Sequence, residues 1–321
     1  MTPRAKPTGF AYAALALLAV AALAALLLPF ATRLPLPTGL RWLLDLAVHW
    51  QWLHAAVFAF ACIGCAGWRR RWLLWLPACA LPWLTATPAL PMAEPGPPTL
   101  RVAFANVHVS SEDPSRLLAW LAREPVDVLA IGELSPGFAD ALSHAAPAAL
   151  GHRSLHPQPT PWGIGLLSRY PLRDVRLLPG RDGVPRLEAT IDLDRSAVRL
   201  VVLHPKPPMT AAMLLERDRA VAVVASARDT RPRIVLGDLN ATPWSRPLQD
   251  AADGDLLRAT TLAPTWPAHW TLRPGIPIDH VLASPQWAVR TTGIGPDIGS
   301  DHRPVRAELR WRAGPAPRAD R

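Results

Sequence analysis

Carboxylates, amides and imidazoles recur at the C-terminal ends of apolar stretches in the last two-thirds of this 321-residue chain. The stretch 101–105 ends at Asn106, 127–132 at Glu133, 198–203 at His204 and 233–237 at Asp238, with Asn240 two residues further on. Asp279-His280 and Ser300-Asp301-His302 follow near the end. Strand ends of open sheets gather ligand groups, because side chains there face a shared crevice. The set contains no serine or cysteine nucleophile. Hard oxygen donors without a Cys/His cluster suit Mg2+ or Mn2+ and not structural zinc. Imidazoles beside carboxylates supply anion contacts and proton transfer. These are the parts of a metal-assisted hydrolysis in which water attacks phosphorus.

Residue type alone leaves rival readings at several positions. Asn106 could cap a turn after its strand. His204 precedes Pro205-Lys206-Pro207-Pro208 and could be a loop residue. Asp279 and His280 alternate across a strand, so only one faces the site; Asp279 is the choice, and His280 is read as a packing residue. Lys206 reads as a solvated loop charge, and His108, His152, His156 and His269 as surface or structural groups.

The elements that must position these residues are short apolar strands alternating with helical stretches. Strands are expected at 101–106, 126–131, 163–168, 187–193, 198–204, 233–236, 278–283 and 305–309, and helices at 114–123, 136–144 and 209–228. In the last of these, Met213, Leu214, Arg217, Ala220, Val221 and Val224 follow the helical period. Many strands and few helices suggest two sheets between helices. The tail 313–321 is polar and is expected to be disordered.

The first third is of another class. Residues 1–96 hold 7 basic and 2 acidic residues, against 27 and 23 in the remainder. That contrast marks a membrane-type segment before a domain of ordinary polarity. Three spans are expected, at about 10–30, 43–67 and 73–91, with a Pro-rich linker at 94–99 and a catalytic domain at 100–312. Arg4 and Lys6 precede the first span and Arg69, Arg70 and Arg71 follow the second. The excess of basic residues on those sides puts the N-terminus inside and, after three crossings, the domain outside. In a bacterium this means a multi-pass inner-membrane protein with a periplasmic domain. Cys62, Cys65 and Cys79 all lie in apolar stretches and read as packing residues. Asp45, His49 and His54 read as polar groups reaching the interface.

Four stretches, in order, resemble the endonuclease/exonuclease/phosphatase superfamily, which contains pancreatic deoxyribonuclease, apurinic-site endonucleases, inositol-polyphosphate phosphatases and neutral sphingomyelinases. They are Trp162-Gly163-Ile164-Gly165-Leu166-Leu167-Ser168-Arg169, Gly237-Asp238-Leu239-Asn240-Ala241-Thr242-Pro243-Trp244-Ser245, Ile278-Asp279-His280-Val281-Leu282 and Ser300-Asp301-His302-Arg303-Pro304. The resemblance implies an α/β fold, a four-layer α/β/β/α sandwich, in a membrane-tethered bacterial member. It implies Glu133 as the principal Mg2+ ligand, with Asn106 near the metal or its water and Asp301 completing that site or a second one. Asp238 would orient or deprotonate the attacking water, and Asn240 would bind a phosphate oxygen. His302, held by Asp279, would contact the phosphate. His204 would contact the phosphate and protonate the leaving group. Two departures stand out. Gly132 precedes Glu133 where many relatives have Gln, and only Glu188 and Asp182 offer themselves as an acid to pair with His204.

The expected function is thus a membrane-anchored, Mg-dependent phosphoester hydrolase, with Mn2+ as the other candidate ion. Its partners are the lipid bilayer and a phosphoester substrate: nucleic acid, phospholipid or a small phosphoester. No obligate protein partner is evident. The alternative is a non-catalytic membrane scaffold or binding module that keeps the fold.

Overall fold

The computed structural model describes residues 9–193, 196–227, 229–269 and 275–312; the expected tail at 313–321 lies outside them. The chain divides into two compact units. One comprises Met1–Ala86 with Pro243–Arg246, the other Thr87–Thr242 with Pro247–Arg321.

The first unit is helical: α1 (Gly9–Leu26), α2 (Leu28–Ala31), α3 (Thr38–Val48), α4 (Gln51–Ala66), a 3₁₀ stretch (Arg70–Ala80) and α5 (Leu81–Thr85). Ala19, Ala22 and Leu26 of α1 pack with Ala55, Phe58, Ala61 and Cys62 of α4. Small side chains let two helices approach closely. Among the described residues, α1 alone is by itself long and apolar enough to cross a membrane. The pair α3 and α4 passes the same test together but bends by 68° at its break.

The expectation of three spans is therefore not met by the described residues. From Leu73 to Pro91 the chain forms 3₁₀ turns and the five-residue α5, because Pro77 and Pro82 interrupt helical hydrogen bonding. Its last residues belong to the other unit, where Ala89 bridges Arg258 and Met92 bridges Val289. The polar groups of the second stretch also find partners within the protein. His49 Nε2 lies 3.1 Å from Asp45 Oδ2, with both residues buried, and His54 Nε2 is 2.9 Å from the Ala47 carbonyl.

Among the described residues the second unit holds twelve strands and four α-helices. In chain order these are β1 (Leu100–Asn106), α6 (Ser115–Arg123), β2 (Val128–Gly132), α7 (Pro136–Ala145), β3 (His152–His156), β4 (Ile164–Ser168), β5 (Arg173–Pro179) and β6 (Pro185–Leu193). There follow β7 (Ser196–Leu203), α8 (Ala211–Ala225), β8 (Arg233–Asp238), α9 (Arg246–Asp253), β9 (Leu257–Arg258), β10 (Asp279–Ala283), β11 (Trp287–Ile294) and β12 (Val305–Trp311).

The strands form two six-stranded sheets with the orders β11-β12-β1-β2-β4-β3 and β5-β6-β7-β8-β10-β9. Each is built alike at its centre. A parallel pair joined by a helical crossover, β1-α6-β2 or β7-α8-β8, is flanked by antiparallel strands. Phe104, Val128 and Ile164 of one sheet share a core with Leu187, Leu200, Leu236 and Val281 of the other. On the outer faces, α6 and α7 cover the first sheet and α8 covers the second together with Leu248 and Ala251 of α9. The layers run α/β/β/α. Strands buried on both faces read as continuous apolar runs, which is why all eight expected strands appear.

Two helix starts are locally specified. Ser135 Oγ accepts from the Phe138 amide ahead of Pro136 in α7, and Thr210 Oγ1 accepts from Met213 in α8.

Candidate active site

The parallel pair β1–β2 ends with Asn106 beside Gly132, and β8 ends where its antiparallel neighbour β10 begins, with Asp238 beside Asp279. The chain turns sharply just past these ends. Glu133 has φ 56° and Asn240 φ 47°, conformations uncommon for residues with a side chain. Strain of this kind is held only where surrounding structure enforces it, and it clusters at functional sites. Close backbone packing does the enforcing. A Cβ on Gly237 would sit 1.8 Å from the Leu203 carbonyl oxygen, and one on Gly163 would sit 2.0 Å from that of Leu134. Only glycine fits beside Asp238 and behind Glu133.

Asp238 is the centre of the cluster. Its Oδ2 lies 3.3 Å from Asn106 Nδ2, 3.5 Å from His204 Nε2 and 3.6 Å from His302 Nε2, and its Oδ1 accepts from the Asn240 amide at 2.9 Å. Asn106 Nδ2 also donates to Glu133 Oε1 at 3.0 Å, so one amide links carboxylates from both sheets. Glu133 Oε2 accepts from the Val109 amide at 2.9 Å. On the far side of His302, Nδ1 is 2.9 Å from Asp279 Oδ2. Thr265 Oγ1 in turn accepts from the Asp279 and Ile278 amides.

Burial sets the electrostatics. Asp238, Asp279, His204 and His302 are each no more than 5 % exposed, so charge–charge effects are weakly screened. Burial alone would raise the Asp238 carboxyl, but His302, His204 and the Asn240 amide hold it at about 2. Burial alone would lower the His302 imidazole, but Asp279 and Asp238 on either side hold it at about 10. Burial pushes Asp279 up; the imidazole keeps the shared proton, because it is flanked by two carboxylates. His204 is also raised, its burial outweighed by Asp238 and Glu133.

All eight expected residues can be placed. Asn106, Glu133, Asp238, Asn240, Asp279, His204 and His302 form one connected network. The Asn240 side-chain amide is directed to the Pro205 carbonyl at 3.0 Å. Asp301 stands beside it: its Oδ2 accepts from Trp266 Nε1 at 3.0 Å, while its buried Oδ1 has no hydrogen-bond partner. His280 faces the opposite way from Asp279, toward the Ala241 carbonyl at 2.8 Å, and burial keeps it neutral down to about 4. Lys206 is held by Glu216 and Asp182.

The candidate acids for His204 are occupied elsewhere, Glu188 by Arg186 and Arg199 and Asp182 by Lys206. His204 Nδ1 is buried without a hydrogen-bond partner. Trp162 packs on this ring instead, with centroids 5.5 Å apart. Trp162 in this role, and Thr265, were not foreseen. Trp162 lies inside a quoted motif, whereas nothing local to Thr265 distinguishes it.

Two ion positions suggest themselves. Asp238, Asp279 and His302 each offer a ligand atom within 4.8 Å of the others. There, however, the imidazolium already lies between the carboxylates and compensates their charge. Glu133 with the Asn106 amide, beside Asp238, is a hard-oxygen set suited to Mg2+, and rotating the Asn106 amide would turn its oxygen toward these carboxylates.

Residues 103–302 match the model of the endonuclease/exonuclease/phosphatase family. The chain belongs to this family. Its members are metal-dependent hydrolases of phosphoester bonds. The fold is shared with an endonuclease/exonuclease/phosphatase protein from Beutenbergia cavernae (TM-score 0.55, 22% identity, 69% of this chain and 73% of that one). It is also shared with a 3′ phosphatase from Neisseria bound to a product DNA hairpin (0.52, 19%, 66% and 100%). A third likeness is sphingomyelinase C from Streptomyces griseocarneus (0.52, 18%, 65% and 99%). No curated protein sequence matches the chain.

Proposed function

We propose that the protein is a membrane-anchored, Mg2+-dependent phosphoester hydrolase. The observation that carries this is Asp238, one buried carboxylate within 3.6 Å of two imidazoles and of the amide that reaches Glu133. Glu133 and Asn106 hold the ion, with Asp301 as a further ligand, and Mn2+ can substitute. A bound ion of this kind neutralises phosphoryl charge and lowers the pKa of water.

The remaining steps fall to the side chains. Asp238, too weak a base at about 2 to deprotonate free water, orients the attacking water by accepting its hydrogen bond. His302, cationic under Asp279, donates through Nε2 to a phosphoryl oxygen, and Asn240 donates to another. The water oxygen bonds to phosphorus as the ester oxygen departs with a proton from His204. Bonding to phosphorus makes the water strongly acidic, so it then yields its proton to Asp238, from which the proton returns to the neutral His204 3.5 Å away.

The anchor is α1. With Arg4 and Lys6 on the cytoplasmic side, one crossing leaves the second unit outside, in a bacterium in the periplasm. A reporter fused after Arg321 reads this directly: a cytoplasmic signal refutes it. The chemistry is tested with the purified full chain and Mg2+ on bis-p-nitrophenyl phosphate, plasmid DNA and a phospholipid panel. Hydrolysis abolished by EDTA and by His302→Ala is expected. Silence on every substrate with Mg2+ still bound would favour a non-catalytic scaffold.

A further inference from the structure

The large apolar side chains left exposed on the second unit are concentrated in one region. Among the described residues they are Met92 and then Val175, Leu177, Met209, Leu215 and Val223. Those five lie on β5, on the loop after His204 and on α8. The same three elements border a cavity of about 130 Å³ walled by Pro179, Val184, Leu203, Pro205, Ala220 and Val223. Leu203 and Pro205 are the chain neighbours of His204, so this cavity begins one residue from the proposed leaving-group side of the site.

Charge is arranged around the same region. Arg181 and Arg219 border the cavity, Arg176 lies on β5, and all three are exposed. None has an ion-pair or hydrogen-bond partner among the described residues. The neighbouring carboxylates are mostly satisfied: Lys206 holds Asp182 and Glu216, and Arg173 holds Asp192. Asp174, also on β5, is exposed and acts on Arg231. The edge strand β5 is exposed on both faces from Arg173 to Leu177, so Arg176 and its neighbours Val175 and Leu177 flank one free edge from opposite faces.

Exposed aliphatic tips beside unpaired guanidinium groups complement an anionic lipid surface, where the tips enter the headgroup boundary and the cations meet phosphates. The chain carries a helix of spanning length, so such a surface is within its reach. We infer that β5, the loop after His204 and α8 form a docking face for an anionic phospholipid bilayer, which presents lipid phosphoesters to the His204 side of the site. Docking itself takes from the proposed function only the anchoring of the chain, whereas the presentation of lipid phosphoesters to the site rests on the hydrolase reading.

The test is hydrogen exchange on the full chain in nanodiscs with and without phosphatidylglycerol in phosphatidylcholine. Exchange across 173–184 and 211–223 should slow by roughly tenfold or more in the anionic discs. That protection should vanish in the combined Arg176→Glu, Arg181→Glu, Arg219→Glu variant and shrink in Val175→Ser, Leu177→Ser. Equal exchange in the two bilayers, or protection that survives the charge reversal, overturns the docking face and leaves the hydrolase reading intact. A chain that fails to enter the discs overturns the anchoring, and this inference with it.

Discussion

The two sheets repeat one device, a parallel strand pair with a helical crossover, and end it differently. Where β1 and β2 stop, Asn106 and Glu133 meet through a 3.0 Å amide–carboxylate hydrogen bond, and Glu133 is half-buried with oxygens directed to an amide and a backbone N–H. Where β7 and β8 stop, His204 and Asp238 are both almost fully buried, the carboxyl held low and the imidazole raised by each other, with His302 and Asp279 beyond them. The first end is a hard-oxygen site with access to water. The second is a dry array in which each charge is set by its neighbours. On the proposed reading one scaffold supports two jobs, holding a cation and managing protons, and burial separates the two ends.

That division can be broken from either side. Asp238→Asn should have the largest effect, because Asp238 touches both ends; kcat/KM on bis-p-nitrophenyl phosphate should fall roughly 10³-fold, with the unfolding curve showing that the fold persists. His302→Ala should cost roughly 10²-fold or more in the same assay. Asp279→Asn sharpens the point. His302 is cationic below about 10, and removing the Asp279 charge lowers that value. The alkaline limb of the pH–rate profile should therefore move toward neutrality, whereas an unmoved limb would mean that the pair only holds geometry.

At the other end, Glu133→Gln should raise the Mg2+ concentration for half-maximal rate by at least about tenfold, read in a metal titration. It should shift the pH profile less than Asp279→Asn does, because Glu133 is only one of the charges that raise His204. The smallest effect falls on the packing beneath both ends. Gly237→Ala forces a Cβ against the Leu203 carbonyl and should cost roughly 1–3 kcal/mol, seen as a lower Tm with the shape of the pH and Mg2+ dependences retained.

What the sequence made legible follows the same physics. Strands buried on both faces announce themselves as apolar runs, so β1, β2, β4, β6, β7, β8, β10 and β12 could be read, and with them Asn106, Glu133, His204 and Asp238 at their ends. Strand alternation showed that only one of Asp279 and His280 faces the cluster, and the resemblance to the family selected Asp279. The exposed edge strand β5 and the polar β3 carry no such run, and α9, with Arg246, Asp250 and Asp253, lacks an obvious apolar stripe. Contacts made across long sequence distances, such as Trp162 on His204 or Thr265 under Asp279, leave no local signal. Hydropathy misled in the first unit for a related reason. The run from Leu73 to Pro91 is apolar enough to span, but its prolines prevent a long helix and its end pairs with β9 and β11.

The most direct test is a two-dimensional map of kcat/KM against pH and Mg2+ for the wild type, Glu133→Gln and Asp279→Asn. Expected is hydrolysis that disappears in EDTA, with Glu133→Gln displaced chiefly along the Mg2+ axis and Asp279→Asn chiefly along the pH axis. Wild-type hydrolysis that survives EDTA, or two variants displaced along the same axis, would contradict the assignment of cation and proton to separate ends.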